Sequence, residues 1–213
     1  MKRMIIVGGG NKAKIIINTI TKLNEYEIIG YTENRDMGSL LGVKYLGTED
    51  ILADIIKVDK SCCAALGLEY NSVSNEPYRL FEKIKNLGYK LPVIISPNAL
   101  VNEEVSVGEG TIILDFSIIN VGSVIGNGVI LNNGAIIEHD CKVGNFVHFS
   151  TGAIIGGGVE VGDNSIIGMG AKVIQYKKVG KNCLIEIGSI VIRDTLEEGI
   201  YFGVPAKRID HKL

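Results

Sequence analysis

From Val101 to Ile192 an apolar residue recurs at every sixth position, while residues 1 to about 95 carry short apolar runs separated by amphipathic stretches. Positions 101, 107, 113, 119, 125, 131, 137, 143, 149, 155, 161, 167, 173, 179, 185 and 191 are all Val, Ile or Leu, Phe149 excepted. Four residues after the aliphatic a small residue often follows, as at Thr111, Ser117, Ser123, Ala135, Cys141, Ala153, Ser165, Ala171, Cys183 and Ser189. Gly or Asn commonly stands directly after the aliphatic, as in Val107-Gly108, Leu131-Asn132 and Val143-Gly144. A six-residue period with no helical spacing inside it predicts a left-handed parallel β-helix of hexapeptide repeats. The aliphatic and the small residue face inward, and Gly or Asn turns the corners.

The first half follows a different rhythm. Residues 4–7 (MIIV) predict a strand that ends in Gly8-Gly9-Gly10, and Ala13 to Leu23 a helix. Tyr26–Tyr31, Ser61–Leu68 and Leu91–Ile95 predict further strands, Glu76–Leu87 a helix closed by Gly88, and Thr48 the N-cap of another helix. Strands alternating with helices imply a parallel sheet of Rossmann-like type. Ser96-Pro97-Asn98 marks the junction, so the expected domains are an α/β unit at 1–97 and a β-helix at 98–213. Residues 193 to 213 read as a tail, with Gly199 and Pro205 as breakers.

Composition narrows the choice of partners. The 213 residues carry a net charge of -2, which gives no electrostatic footprint for nucleic acid or a membrane surface. No apolar run is long enough for a membrane span, and MKRMIIVGGG reads as a strand entering a loop rather than a signal peptide. The four cysteines lack metal-ligand spacing, and Cys141 and Cys183 fall on the small inward position of their hexads. A reduced, cytoplasmic setting is expected.

Candidate chemistry stands out against the repeat. Three hexads make one coil, so residues 18 apart stack: His139 with Gly157 and Gln175, and Thr151 with Met169 and Ile187. His139 lies between Glu138 and Asp140, with Gly156-Gly157-Gly158 one coil further on and His148 half a coil away. Carboxylates beside an imidazole favour a general base, and bare glycine N–H groups suit an oxyanion. The loop Gly8 to Lys14, between a strand and a helix, suits a phosphate, and Glu33-Asn34 follows the second strand where a ribose or base is often held. The loop is neither a full GxGxxG nor a P-loop.

These residues resemble the bacterial sugar acetyltransferases of the sialic acid O-acetyltransferase (NeuD) and PglD type. The likeness spans the chain: Gly loop, Ser96-Pro97 junction, hexads, the segment Ile137-Glu138-His139-Asp140-Cys141, and the closing Gly203-Val204-Pro205-Ala206-Lys207. It implies a homotrimer that moves acetyl from acetyl-CoA to a nucleotide-linked amino sugar of the UDP-4-amino-4,6-dideoxy type, without a metal. His139 would be the general base and Asp140 its acidic neighbour. His148, Gly157, Met169 and Ile187 would contact acetyl-CoA. Gly10, Asn11, Lys12, Lys14, Glu33, Asn34 and Gly67 would hold the nucleotide sugar. Asn11 and Lys12 stand where the family loop carries Gly and His, and Glu33-Asn34 where it carries two aspartates, so the substrate is expected to differ from that of better-known members.

Three other readings compete. The same base could serve a sugar hydroxyl, as in O-acetylation of sialic acid. A β-helical zinc carbonic anhydrase would need three histidine ligands, and only His139 and His148 lie in the repeat, with His211 in the tail. A catalytically silent trimeric nucleotide-binding module would have no use for the His139–Asp140 and His148 set.

Overall fold

The computed structural model describes residues 1–68 and 72–209 and divides into two compact units, with a boundary between Pro97 and Asn98; residues 72–75, expected in the first unit, group with the second. In the first unit β1 (Lys2–Val7), β2 (Tyr26–Thr32), β3 (Tyr45–Gly47) and β4 (Cys63–Leu66) form one parallel sheet in the order β3-β2-β1-β4. Helices α1 (Asn11–Leu23), α2 (Ile51–Val58) and α3 (Glu76–Asn86) alternate with the strands, as the βα rhythm predicts. Met4, Ile5, Ile6 and Val7 are fully buried. A strand with no polar alternation is one covered on both faces, as in a parallel sheet.

Several local expectations need correction. β3 carries no distinct apolar run and is absent from the sequence reading. Thr48 does not cap α2: Asp50 holds the N-cap position without a side-chain cap, and the Thr48 hydroxyl turns to the Asp50 carboxylate at 3.2 Å. The strand expected over 91–95 shrinks to Ile94–Ile95, and Lys90 instead bridges Cys63. The tail is not a mere tail. Ile200–Phe202 joins the β-helix in parallel with Leu184–Ile185, and Lys207–Ile209 folds back on it antiparallel. The breakers Gly199 and Pro205 therefore bracket a strand instead of ending the structure.

The second unit is a left-handed parallel β-helix whose register follows the hexads throughout: Ile118, Ile136 and Ile154 align, as do Ile130, His148 and Ile166. The inward aliphatics are buried, with Ile113, Ile137, Phe149, Ile155 and Ile185 fully so. Inward hydroxyls are buried too, and each stitches coils together. Ser123 accepts from the Cys141 N–H (3.1 Å) and donates to the Glu138 carbonyl (2.9 Å), and Ser165 does the same between Cys183 N–H (3.0 Å) and Gly180 carbonyl (2.8 Å). A buried hydroxyl is tolerated because it is satisfied on both sides.

The three sheets differ on their outer faces. One presents Ser106, Val124, Lys142, Glu160 and Lys178, with Lys178 paired to Glu160 at 2.9 Å. The second presents Leu100, Ile118, Ile136, Ile154, Lys172 and Ile190, an apolar stripe that is half-exposed through most of its length. The third presents Ile112, Ile130, His148 and Ile166, all buried.

Candidate active site

His139 occupies the corner where the chain leaves Ile136–Ile137 and turns toward Lys142–Val143. Asp140 takes the left-handed conformation that the corner demands, at φ +58°. Asp is among the few side chains that enter it readily, since its carboxylate can bond locally. That carboxylate meets the imidazole Nδ1 at 2.9 Å, while 47 % of the His139 side chain stays exposed. An acceptor at Nδ1 places the proton there, and Nε2 is left with a lone pair.

Nε2 points along the helix axis to the next coil. A Cβ on Gly157 would collide with Nε2 and Cε1, so only glycine lets the ring lie there. The Gly158 N–H donates to the His139 carbonyl at 2.8 Å, and the Gly157 carbonyl accepts from Tyr176 at 2.9 Å. The Gly157 N–H itself has no acceptor among the described residues. A lone pair and a glycine whose N–H has no acceptor among the described residues therefore lie on adjacent coils. The carboxylate of Glu138 is held aside by Asn120 (3.1 Å), which also receives a bond from Asn102 (3.1 Å). Sequence reasoning noted Glu138 as a flank but missed this ladder; the Asn102, Asn120 and Glu138 spacing of 18 is the signal that could have found it.

The structure brings His139, Asp140 and Gly157 together and sets the remaining cofactor candidates elsewhere. His148 lies in a different sheet and is buried (7 % exposed). Met169 and Ile187 are exposed at another corner, next to Gly170 and Gly188. The apolar face running through Ile136 and Ile154 separates that corner from the His139 corner. Among the described residues no three His, Cys, Asp or Glu side chains converge; His211 lies outside them. No helix among them is long and apolar enough to cross a membrane.

In the α/β unit, Gly8 packs against Gly67, and Gly67 N–H donates to the Val7 carbonyl at 2.7 Å. A Cβ on Gly9 would strike the Tyr31 ring and Glu33. Glu33 draws in the loop: it accepts from Gly9 N–H at 2.9 Å with one oxygen and from Asn34 N–H at 2.8 Å with the other. Gly10 caps α1 with no side-chain cap and no acid in the first turn, so the positive end of the helix is not neutralised there. Asn11, Lys14 and Asn34 are exposed beside it, whereas Lys12 is buried (7 % exposed). Gly10, Asn11, Glu33 and Gly67 thus share the ends of β1, β2 and β4, where ligands of parallel sheets bind.

The comparisons agree with this architecture. The family model for the PglD N-terminal domain matches residues 3–73. No curated protein matches the sequence. The acetyltransferase domain of PglB from Neisseria gonorrhoeae, solved with acetyl coenzyme A, is 30 % identical at a TM-score of 0.91, covering 98 % of this chain and 99 % of that one. PerB from Caulobacter crescentus, solved with CoA and GDP-perosamine, is 28 % identical at a TM-score of 0.91 over 98 % of both chains. WeeI from Acinetobacter baumannii, at 21 % identity and a TM-score of 0.85, shares the fold. Identity at the level of the PglB domain, over nearly the whole of both chains, makes this protein a member of the PglD-type sugar acetyltransferase family.

Proposed function

We propose that the protein transfers acetyl from acetyl-CoA directly to the amine of a nucleotide-linked amino sugar of the UDP-4-amino-4,6-dideoxy class. The observation that carries this reading is His139, held by Asp140 with its Nε2 against Gly157, whose N–H has no acceptor among the described residues. Nε2 takes a proton as the sugar amine attacks the thioester carbon, so that an N–C bond forms and the C–S bond breaks. The Gly157 N–H receives the developing oxyanion. The proton held at Nε2 is then available to the departing thiolate, and the products are the N-acetyl sugar and CoA. Asp140 keeps the imidazole in the tautomer this requires. The acetyl coenzyme A of the PglB domain supports the donor, and the GDP-perosamine of the Caulobacter enzyme supports a nucleotide-linked sugar as the acceptor, without bearing on the UDP.

Gly10, Asn11, Lys12, Lys14, Glu33, Asn34 and Gly67 hold the nucleotide sugar in this reading. The uncapped start of α1 offers N–H donors to the phosphates. Because Glu33 already accepts two backbone bonds, it orders the loop as well as facing the nucleoside.

The active form is a homotrimer in the cytoplasm, closed over the stripe of Leu100, Ile118, Ile136, Ile154 and Ile190. Both the His139 corner and the Met169–Ile187 corner bound that stripe, so a second chain seated there puts both at the rim of one interface. His148 belongs to the acetyl-CoA contacts in this reading; within one chain it is buried and sits half a coil from His139. Light scattering is expected to return three times the chain mass; a monomer that still turns over would remove this part of the proposal.

The mechanism is tested by His139→Ala. Turnover should fall by about 10²- to 10⁴-fold, the usual contribution of a general base, while acetyl-CoA affinity changes little. Near-full turnover would sink the assignment. A panel of hydroxyl and amino sugars read by thiol release separates O- from N-acetylation.

A further inference from the structure

Among the described residues Tyr31, near the end of β2, is the largest side chain buried completely. A buried tyrosine needs partners for its hydroxyl. The Tyr31 hydroxyl has two, both in one loop: it donates to the Gly38 carbonyl at 2.7 Å and accepts from the Met37 N–H at 3.0 Å. Met37 and Gly38 are exposed, so a core side chain reaches out to hold a surface loop. From Arg35 to Ser39, among the described residues, these two bonds alone tie the loop to the sheet; the bond from Gly38 N–H to Asp36 lies within the loop itself.

The same ring touches the other loop of the site. A Cβ on Gly9 would lie 2.8 Å from Cε2 and 3.0 Å from Cδ2 of Tyr31, so glycine there makes room for the ring. Glu33 lies between the two loops. Its carboxylate accepts from Gly9 N–H and Asn34 N–H, and its carbonyl accepts from the Tyr45 hydroxyl at 3.0 Å. The Tyr45 ring packs on Tyr31 with centroids 5.6 Å apart. One buried ring therefore links the Gly loop to the loop that follows Glu33.

We propose that Tyr31 is a positioning residue for nucleotide binding: its hydroxyl sets the loop after Glu33 so that Asn34 meets the nucleoside while the Gly loop takes the phosphates. This rests on the reading of Gly10, Asn11, Glu33 and Asn34 as the nucleotide-sugar site. The hydroxyl touches no ligand. It fixes in advance a segment that would otherwise be ordered only on binding, and such pre-ordering strengthens binding without a new contact. Tyrosine suits the task because its hydroxyl donates and accepts at once, on a ring that the core holds still.

The test measures dissociation constants of UDP, GDP, dTDP and acetyl-CoA by calorimetry, with thermal midpoints, for the wild type, Tyr31→Phe, Asn34→Ala and the double variant. Tyr31→Phe keeps the buried ring, and the freed Met37 N–H and Gly38 carbonyl can turn to water, so the fold is retained. Its affinity for the tightest-binding of the three nucleotides should fall roughly tenfold, the worth of one to two net hydrogen bonds now formed at the moment of binding. Acetyl-CoA affinity should not change. Asn34→Ala should weaken the same nucleotide, and adding Tyr31→Phe to it should cost clearly less than in the wild type, because the hydroxyl acts through that segment. A lowered midpoint with unchanged nucleotide affinity would make Tyr31 mere packing and overturn the assignment. So would losses that simply add in the double variant, or an equal loss of acetyl-CoA affinity. A wild type that binds none of the three nucleotides would bring down the nucleotide reading of the α/β unit itself, and the role of Tyr31 with it.

Discussion

The corner carrying Gly134, Gly152, Gly170 and Gly188 and the corner carrying Gly122, Asp140, Gly158 and Tyr176 share one left-handed backbone, with φ between +57° and +73°. Only the second is roofed. Nothing lies within 4 Å of a Cβ at any of the four glycines of the first corner. On the second, Asp140 leans over Gly122, His139 over Gly157 and Tyr176 over Gly158. The hexads set the backbone identically at both, so the difference lies wholly in which side chains reach along the axis and which glycines admit them. The bare corner offers a smooth surface beside Met169 and Ile187, while the roofed corner sets the His139 Nε2 against Gly157.

Adding a methyl group to each corner tests that contrast. Gly157 has an ordinary backbone, so Gly157→Ala should fold normally, but its Cβ displaces the half-exposed imidazole from its place beside the N–H. A displacement of about 1 Å at a reacting group can reduce rate by 10²-fold, and kcat is expected to fall by at least that much with little change in thermal midpoint. Gly134→Ala is expected to behave in the opposite sense. Its Cβ meets nothing, but φ +67° opposes any side chain, so stability should drop by about 1 kcal/mol while turnover stays unchanged. Equal kinetic effects in the two variants would mean that the roofed corner is not special.

This contrast also explains what could be read from the sequence and what could not. The fold was legible because each coil repeats the same inward demand, and Val101 to Val191 state it sixteen times. Stacking at 18 residues likewise pairs His139 with Gly157. The backward lean of Asp140, Phe146 and Tyr176 onto the glycine one coil earlier was not legible, because it follows from the left-handed backbone at those corners and not from the hydrophobic period. In the α/β unit each feature occurs once. The Gly loop and Glu33 could be recognised, but the bond from Gly9 N–H to the Glu33 carboxylate depends on β1 and β2 lying side by side. The strand at Tyr45–Gly47 escaped notice because an edge strand of three residues has too few positions to show alternation. The tail misled because Gly199 and Pro205 mark turns, and a turn can begin a strand as well as end one.

The smallest effect concerns the residue beneath the roofed corner. Cys141 faces inward under His139, and its thiol contacts the carbonyls of Gly156 (3.2 Å) and His139 (3.7 Å). Burial pushes this thiol up to about 11 from 9.0. A thiol that stays neutral in the fold but ionises in the unfolded chain stabilises fully below pH 9, and that contribution is lost as the pH rises from 9 through 11. Cys62 is pushed up to about 11 for the same reason, and burial raises Tyr89 as well, so the protein as a whole should lose stability above pH 9. Cys141→Ser keeps a donor where Ser123 and Ser165 make the equivalent bonds, but it removes one titrating group. Its thermal midpoint should therefore fall less steeply than the wild type's between pH 9 and 10, with turnover at pH 8 unaltered. The same slope in both would mean that the thiol under the His139 corner is open to water, and that the roof above it is looser than the packing implies.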